Sequence, residues 1–483
     1  MGEKYEKFWA NFYLPKRLIL ILLLHTTVGN VPIALYSMQS TYMIPIRSFF
    51  QKSFNAMFSI QNSTLMNAFF SIFTQLGIIG IIGAIIVYKQ IVVRCLPMFC
   101  WLKLAQFLFI IGCILMTLGI TNNYLILAST ANVIFGAASF SFYIKILYLP
   151  EFGLPKDKTK IVLFSNSVMF ILNFLVAIVT NENVLGNENR WFAIYVLMAL
   201  TSVLYLTVTW NMPESPKQLY LIKGNTSETI DSLRFYHGMD VDTQQIIDQF
   251  VDEKHFENIL TKLSLREVFK RKYIRKVILI IALNIIVDIV SLSSITGKYG
   301  QFILEKYSDM PSVITYLKMS GSCISLAGSF VAPILFSRLG IRNSVVTIFG
   351  LSVLAWIFMI MAEGAFYAIN TPNTISFFFY IIGTVIEELS SGLGKRKIFF
   401  ILMNELCPEE AKDSVATFML TISIFGIETT GLTILPIYTL IGITIYIIYF
   451  IITIICITIF ISIVPNSKEN LYESLHDGYK ELK

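Results

Sequence analysis

Apolar runs of about twenty residues recur along this chain, separated by short polar stretches, and they set its class. A helix rises 1.5 Å per residue, so roughly 20 apolar residues cross about 30 Å of hydrocarbon. On that scale the sequence predicts twelve spans, at about 18–38, 63–87, 97–119, 123–144, 161–180, 191–211, 276–296, 313–337, 344–362, 375–404, 413–434 and 437–464. Barrel strands would alternate in polarity over ~10 residues, which these runs do not, so the spans are helices that satisfy their own backbone groups. The first run is too long and too polar for a cleaved leader and lacks a small-residue cleavage site, so it is read as span one.

The longest polar stretch, 212–275, divides the spans six and six. Asn225 and Ser227 are candidate caps for a short helix ending at Gly238, and Ile246, Ile247, Phe250, Val251, Ile259 and Leu260 share one side of a second, amphipathic helix. Ser264 and Glu267 have the spacing of a capping box. The expected organisation is therefore a six-helix bundle (1–211), a small cytoplasmic helical bundle (212–275), a second six-helix bundle (276–464) and a cytoplasmic tail (465–483).

Composition agrees: 55% of the 483 residues are hydrophobic and 14% charged, where soluble domains carry about a quarter charged residues. With both termini placed in the cytoplasm, the inner segments hold 30 of the 37 cations and the outer ones 5. The positive-inside rule accounts for that bias, and the net charge of +6 needs no nucleic acid. None of the six cysteines has zinc-ligand spacing. No HExxH, GxSxG or paired-histidine pattern occurs, so neither an enzyme nor a cofactor or metal is expected. Asn62-Ser-Thr64 is a glycosylation sequon on the expected outer side.

The two halves echo each other. Glu151 precedes Lys158 by seven residues after span four, as Glu405 precedes Lys412 after span ten. Met212-Pro-Glu-Ser-Pro-Lys217 closes span six and Val464-Pro-Asn-Ser-Lys468 closes span twelve. Such repeats suggest a transporter with its site near the midplane. The segments "PESPKQL" (213–219), "LRFYHG" (233–238), "YLPEFGLPKDK", "YGQFILEKYS", "SRLGIR" (337–342) and "GLG…ELCP" resemble the sugar-porter branch of the major facilitator superfamily, which includes the facilitative glucose transporters. The resemblance implies an all-α polytopic membrane protein of twelve transmembrane helices in two six-helix bundles. It also implies loop ion pairs that latch the outward-facing state, here from Arg94, Glu151, Glu214, Arg338, Arg342, Glu405 and Lys412. The sequence departs from the family where Ser337 stands for an acid and "KQIVVRC" leaves little beyond Arg94.

By the same resemblance the solute site involves spans five, seven, eight, ten and eleven. Its sugar-reading side chains fall on Asn166 and Ser167, on Val287, Asp288, Ser293 and Tyr299, and on Ser325, Phe400 and Ser423. Most of the family's amides are replaced, leaving serines, Asp288 and an aromatic floor at Phe399 and Phe400. Span ten carries "GLGKRKIFFILMNELCP" (392–408), in which Lys395–Lys397 fall where the family breaks its helix. Two geometries are open: a helix broken at Gly394 with a cation facing the cavity, or a span ending there with 398–404 along the interface. The broken helix fits the register better, with Glu387, Glu388, Asp288 or Glu428 as counter-charges, and Lys397 enters the expected site on that reading. His25 in span one is read as a satisfied packing histidine.

The expectation is a facilitative carrier of a sugar or other small polar organic solute, a monomer in the plasma membrane with both termini cytoplasmic, working by alternating access. The alternatives are a non-transporting nutrient sensor of the same fold, a proton-coupled carrier or an organic-anion carrier. Span one has no acid, which favours uniport, while Asp288 keeps coupling open.

Overall fold

A computed structural model describes residues 15–39, 42–58, 63–88, 98–153, 158–181, 183–220, 224–239, 241–248, 250–251, 265–307, 313–369, 371–395, 398–407 and 409–464. Among them there are helices and turns and no strand. Ten helices are long and apolar enough to cross a bilayer, from Lys16–Ser37 to Thr444–Ile463. Spans five and seven complete the twelve-helix plan. In span five the apolar part is only Ser167–Val179 of the helix Lys158–Val179, and span seven is two helices, Lys272–Ile289 and Leu292–Tyr307. The chain forms two compact units, one of Met1–Met38 and Tyr42–Leu260, the other of Thr261–Lys483 with Gln39–Thr41.

In the first unit, span one is itself broken. Helices Lys16–Thr26 and Val31–Ser37 meet at the turn 27–30, where Pro32 fixes the start of the second. The Thr26 and Thr27 hydroxyls bond back to the Leu22 and Leu23 carbonyls, each at 2.6 Å, occupying acceptors near the break. Span two joins Ser63–Gln75 to Gly77–Val87, and span four runs from Leu125–Ser139 into Ser141–Tyr148. Spans two and four cross on bare backbone: a Cβ at Gly136 would lie 1.9 Å from the Gly77 carbonyl oxygen, and one at Gly80 1.8 Å from that of Val133. Small residues let backbones approach where lipid offers no hydrophobic drive to helix association.

An additional helix, Met43–Phe58, follows span one. A search for full-length apolar runs passes over it because Arg47, Gln51 and Lys52 interrupt the pattern. It buries Ile46, Phe49, Phe50, Ser53 and Phe54, with Phe50 packed on Phe73 at 5.4 Å, in the core that also holds Phe109, Phe135 and Trp191. After span six, Asn225 caps the helix Thr226–His237 by accepting from the Glu228 amide at 3.2 Å, and Gly238 ends it at φ +97°. Leu233 packs there with Ile246 and Phe250.

In the second unit spans eight and nine are stretches 313–339 and 341–369, joined at Gly340 (φ +73°). Span ten is Thr374–Gly392 followed by Ile398–Leu406, with Gly394 at φ +106° between them, so the helix is broken where the register placed the break. Span eleven is Glu409–Ile441 and span twelve Thr444–Ile463. Ile274, Ile281, Phe349, Leu402 and Phe460 build one core, and Trp356, Tyr380 and Tyr446 another. Outward residues such as Ile79, Leu200, Phe330 and Ile455 leave an apolar exterior suited to lipid. Gly136→Val is expected to destabilise the protein by about 1–3 kcal/mol or more by overpacking the crossing, read as a lower melting temperature of the purified protein; an unchanged value would remove the close crossing.

Candidate functional site

The breaks in spans seven and ten interlock inside the second unit. The positive φ at Gly394 turns the chain so that Lys395 reaches back two turns and its ammonium meets the Glu387 carboxylate, with both side chains buried. The Ser293 amide, at the first turn of Leu292–Tyr307, donates to the same Glu387 oxygen at 3.2 Å. A helix N-terminus thus faces a carboxylate, the end where the backbone dipole favours negative charge. Asn284 donates to the Lys395 carbonyl at 3.4 Å. From span eight, Ser325 donates to the Glu388 carboxylate at 2.7 Å, over Gly392, where a Cβ would meet the Ser325 carbonyl oxygen at 2.3 Å. Asp288 is buried at the end of the first half of span seven, and its carbonyl accepts from Ser294 at 2.9 Å. Farther along, Lys306 pairs with the fully buried Glu363, which also accepts from Tyr307 and, at 2.9 Å, from Tyr438.

The first unit holds a second buried polar cluster at the span-one break. Lys145, 1% exposed, donates to the Gly29 carbonyl and to the Asn30 side-chain oxygen at 2.7 Å. Gln106 donates to the same Gly29 carbonyl at 3.0 Å. Tyr205 lies against both His25 and Lys145: its hydroxyl is 2.8 Å from His25 Nδ1 and its ring 5.6 Å from the ammonium. Only glycine fits at position 29, since a Cβ would sit 2.6 Å from the Tyr205 ring.

Beyond Lys145 the chain passes into a clasp around "PESP". Tyr148 donates to the Glu214 carboxylate, Ser215 reaches Glu151 at 3.4 Å, Ser232 donates to the Glu214 carbonyl at 2.7 Å, and Tyr236 donates to the Pro213 carbonyl. Burial, and then the Glu214 charge, push the Tyr236 phenol well above its ordinary pKa, so it stays a donor. The acids expected to act as latch elements, Glu151 and Glu214, thus meet at one seryl turn. Arg342 donates to the Ile461 carbonyl at 2.9 Å, and Arg338 is exposed.

Of the expected solute-site residues, Asp288, Ser293 and Ser325 are buried beside the interlocked breaks; Ser167 and Ser423 are half-buried, and Phe400 is edge-on to Phe399 at 4.7 Å. Asn62, Arg94, Ser264 and Lys397 lie outside the described residues, as do the side chains of Asn166, Tyr299, Glu405, Lys412 and Glu428. His25 has one satisfied ring nitrogen, while Nε2 is buried with no partner. Sequence reasoning missed two groups, Lys145 and the Lys306–Glu363 pair. It placed Lys145 just past the end of span four and counted it among the loop cations; its isolation in "SFSFYIKILYLP" was the available signal.

Apolar helices of membrane length broken around buried polar groups are features of a multi-pass membrane protein, and solved structures share the fold. The chain superposes on a double-tryptophan mutant of XylE with a TM-score of 0.75 at 15% identity, covering 96% of this chain and 99% of that one. It superposes on the inward-open xylose transporter XylE from E. coli with a TM-score of 0.70 at 14% identity, covering 95% and 99%. This is the twelve-helix fold of the major facilitator superfamily. The chain belongs to the sugar transporter family: the model described as "Sugar (and other) transporter" matches residues 22–479. The family is one of transporters, not enzymes. Its curated relatives include human solute carrier family 2, facilitated glucose transporter member 9, 23% identical over 35% of this chain and 31% of that one. Mouse member 7 is 23% identical over 36% and 34%. The match spans about a third of the length of these two relatives.

Removing one partner of a buried ion pair strands the other charge, at about 3–5 kcal/mol. Glu387→Gln is therefore expected to lower the melting temperature sharply, and adding Lys395→Met to recover most of the loss. Additive losses in the double variant would show that the two side chains do not pair.

Proposed function

We propose that the chain carries a sugar or other small polar organic solute across the membrane by alternating access, without making or breaking bonds in it. The observation that carries this reading is the interlocked pair of breaks, which collects Asp288, Ser293, Ser325, Glu387 and Glu388 in an otherwise apolar bundle. Polar groups inside a membrane are costly and are kept for a pathway or a ligand. Asn166, Ser167, Tyr299, Lys397, Phe400 and Ser423 are assigned to the same solute site, and Arg94, Glu151, Glu214, Arg338, Arg342, Glu405 and Lys412 to the latches that bias inward against outward states. The protein acts as a monomer in the plasma membrane with both termini in the cytoplasm.

The Lys395 ammonium is already neutralised by Glu387, so this cluster offers it to no anionic solute. The remaining groups at the breaks suit hydroxyl donors, which supports a polyol-like solute.

Counterflow in proteoliposomes tests the reading: external labelled solute should accumulate against preloaded unlabelled solute for at least one member of a panel of hexoses, polyols, carboxylates and amines. Asp288→Asn and Ser325→Ala are each expected to slow that exchange by roughly tenfold, the worth of one hydrogen bond to a charged group. Binding without exchange would identify a receptor of the same fold instead.

A further inference from the structure

Two lysines held against the helical cores of the described residues have a carboxylate. Lys395 is paired with Glu387 and Lys306 with Glu363. Lys145 differs. It is 1% exposed, and among the described residues its ammonium meets only neutral groups: the Gly29 carbonyl, the Asn30 amide oxygen and the Tyr205 ring. An ammonium has three N–H donors and two are in use here.

The groups beside it are also incomplete. Gln106 gives its amide nitrogen to the Gly29 carbonyl that Lys145 uses, and its own oxygen is buried without a partner. His25 is fully buried; the Tyr205 hydroxyl is its Nδ1 partner, and Nε2 has none. If the Tyr205 hydroxyl donates to Nδ1, neutral His25 carries its proton on Nε2, a second buried donor in the cluster at the span-one break. Buried polar atoms left unpaired call for a water or a ligand. A buried ammonium with no carboxylate beside it is stabilised by an anion that reaches it.

We infer that Lys145 and His25, at the span-one break, form an anion-recognition site that takes the carboxylate of the transported solute, making a singly charged sugar acid the preferred cargo. This inference rests on the carrier reading above. One ammonium without an acid matches one negative charge, and its unused N–H is the donor left for a carboxylate oxygen. An inorganic anion offers related chemistry, and the experiment separates the two.

The full chain is reconstituted in liposomes as wild type, Lys145→Met and Lys145→Arg, each checked for monodispersity and melting temperature. Glucose and glucuronate, which differ by one carboxylate, are compared in counterflow. The expected result is that wild type exchanges glucuronate roughly tenfold or more faster than glucose, that Lys145→Met abolishes the preference and that Lys145→Arg retains it. In parallel, glucuronate should raise the melting temperature of wild type more than equimolar sodium chloride does, and that difference should vanish in Lys145→Met. Exchange of glucose in preference to glucuronate overturns the inference while the carrier stands. A glucuronate-specific thermal shift lost in Lys145→Met, with no exchange of any solute, keeps the recognition site and sinks the carrier. Equal stabilisation by chloride assigns the site to an inorganic ion and overturns the sugar-acid cargo. If Lys145→Met does not fold, a Lys145→Arg protein that exchanges both solutes equally also overturns it.

Discussion

A helix can be interrupted inside a bilayer only where something replaces the hydrogen bonds and the charge compensation that water would supply. This constraint organises the whole chain. At span ten the interruption is held by Lys395 on Glu387, by the Ser293 amide on the same carboxylate and by Asn284 on the Lys395 carbonyl. The span-seven break thereby becomes part of the span-ten break, and neither can be described without the other. At span one, Thr26, Thr27, Gln106 and Lys145 do the corresponding work for the carbonyls on either side of the turn.

The glycines belong to the same economy of space. Gly29 and Gly392 sit at the interruptions because the Tyr205 ring and the Ser325 backbone already occupy the volume a side chain would need. Gly136 and Gly80 serve a different end, bringing spans two and four to backbone contact away from any break. One residue type therefore marks both the rigid crossings and the places where a helix changes direction.

Much of this was legible in the sequence. The apolar runs and the Asn225 cap follow from length, periodicity or a capping residue, which are local properties, whereas the interruption at Gly394 was read from the register of the resemblance. The partner of Lys395 was readable only as one of several acids, because choosing among Glu387, Glu388, Asp288 and Glu428 depends on the direction in which Gly394 turns the chain. Lys145 was hidden for another reason. A hydropathy window ends a span at the first charge it meets, and cannot tell a cation emerging into water from one turned inward among carbonyls contributed by span one. Met43–Phe58 escaped because its core-facing residues recur at helical spacing between charged ones, which a search for unbroken apolar runs discards.

Phe152 joins unlike neighbours. Its ring stacks on His25 at 5.5 Å and lies 4.7 Å from Tyr236, while its carbonyl meets His237 at 2.8 Å. One aromatic residue therefore touches both the loop helix Thr226–His237 and the imidazole of span one. A shift of that loop helix would be felt at the ring that packs on the imidazole of span one.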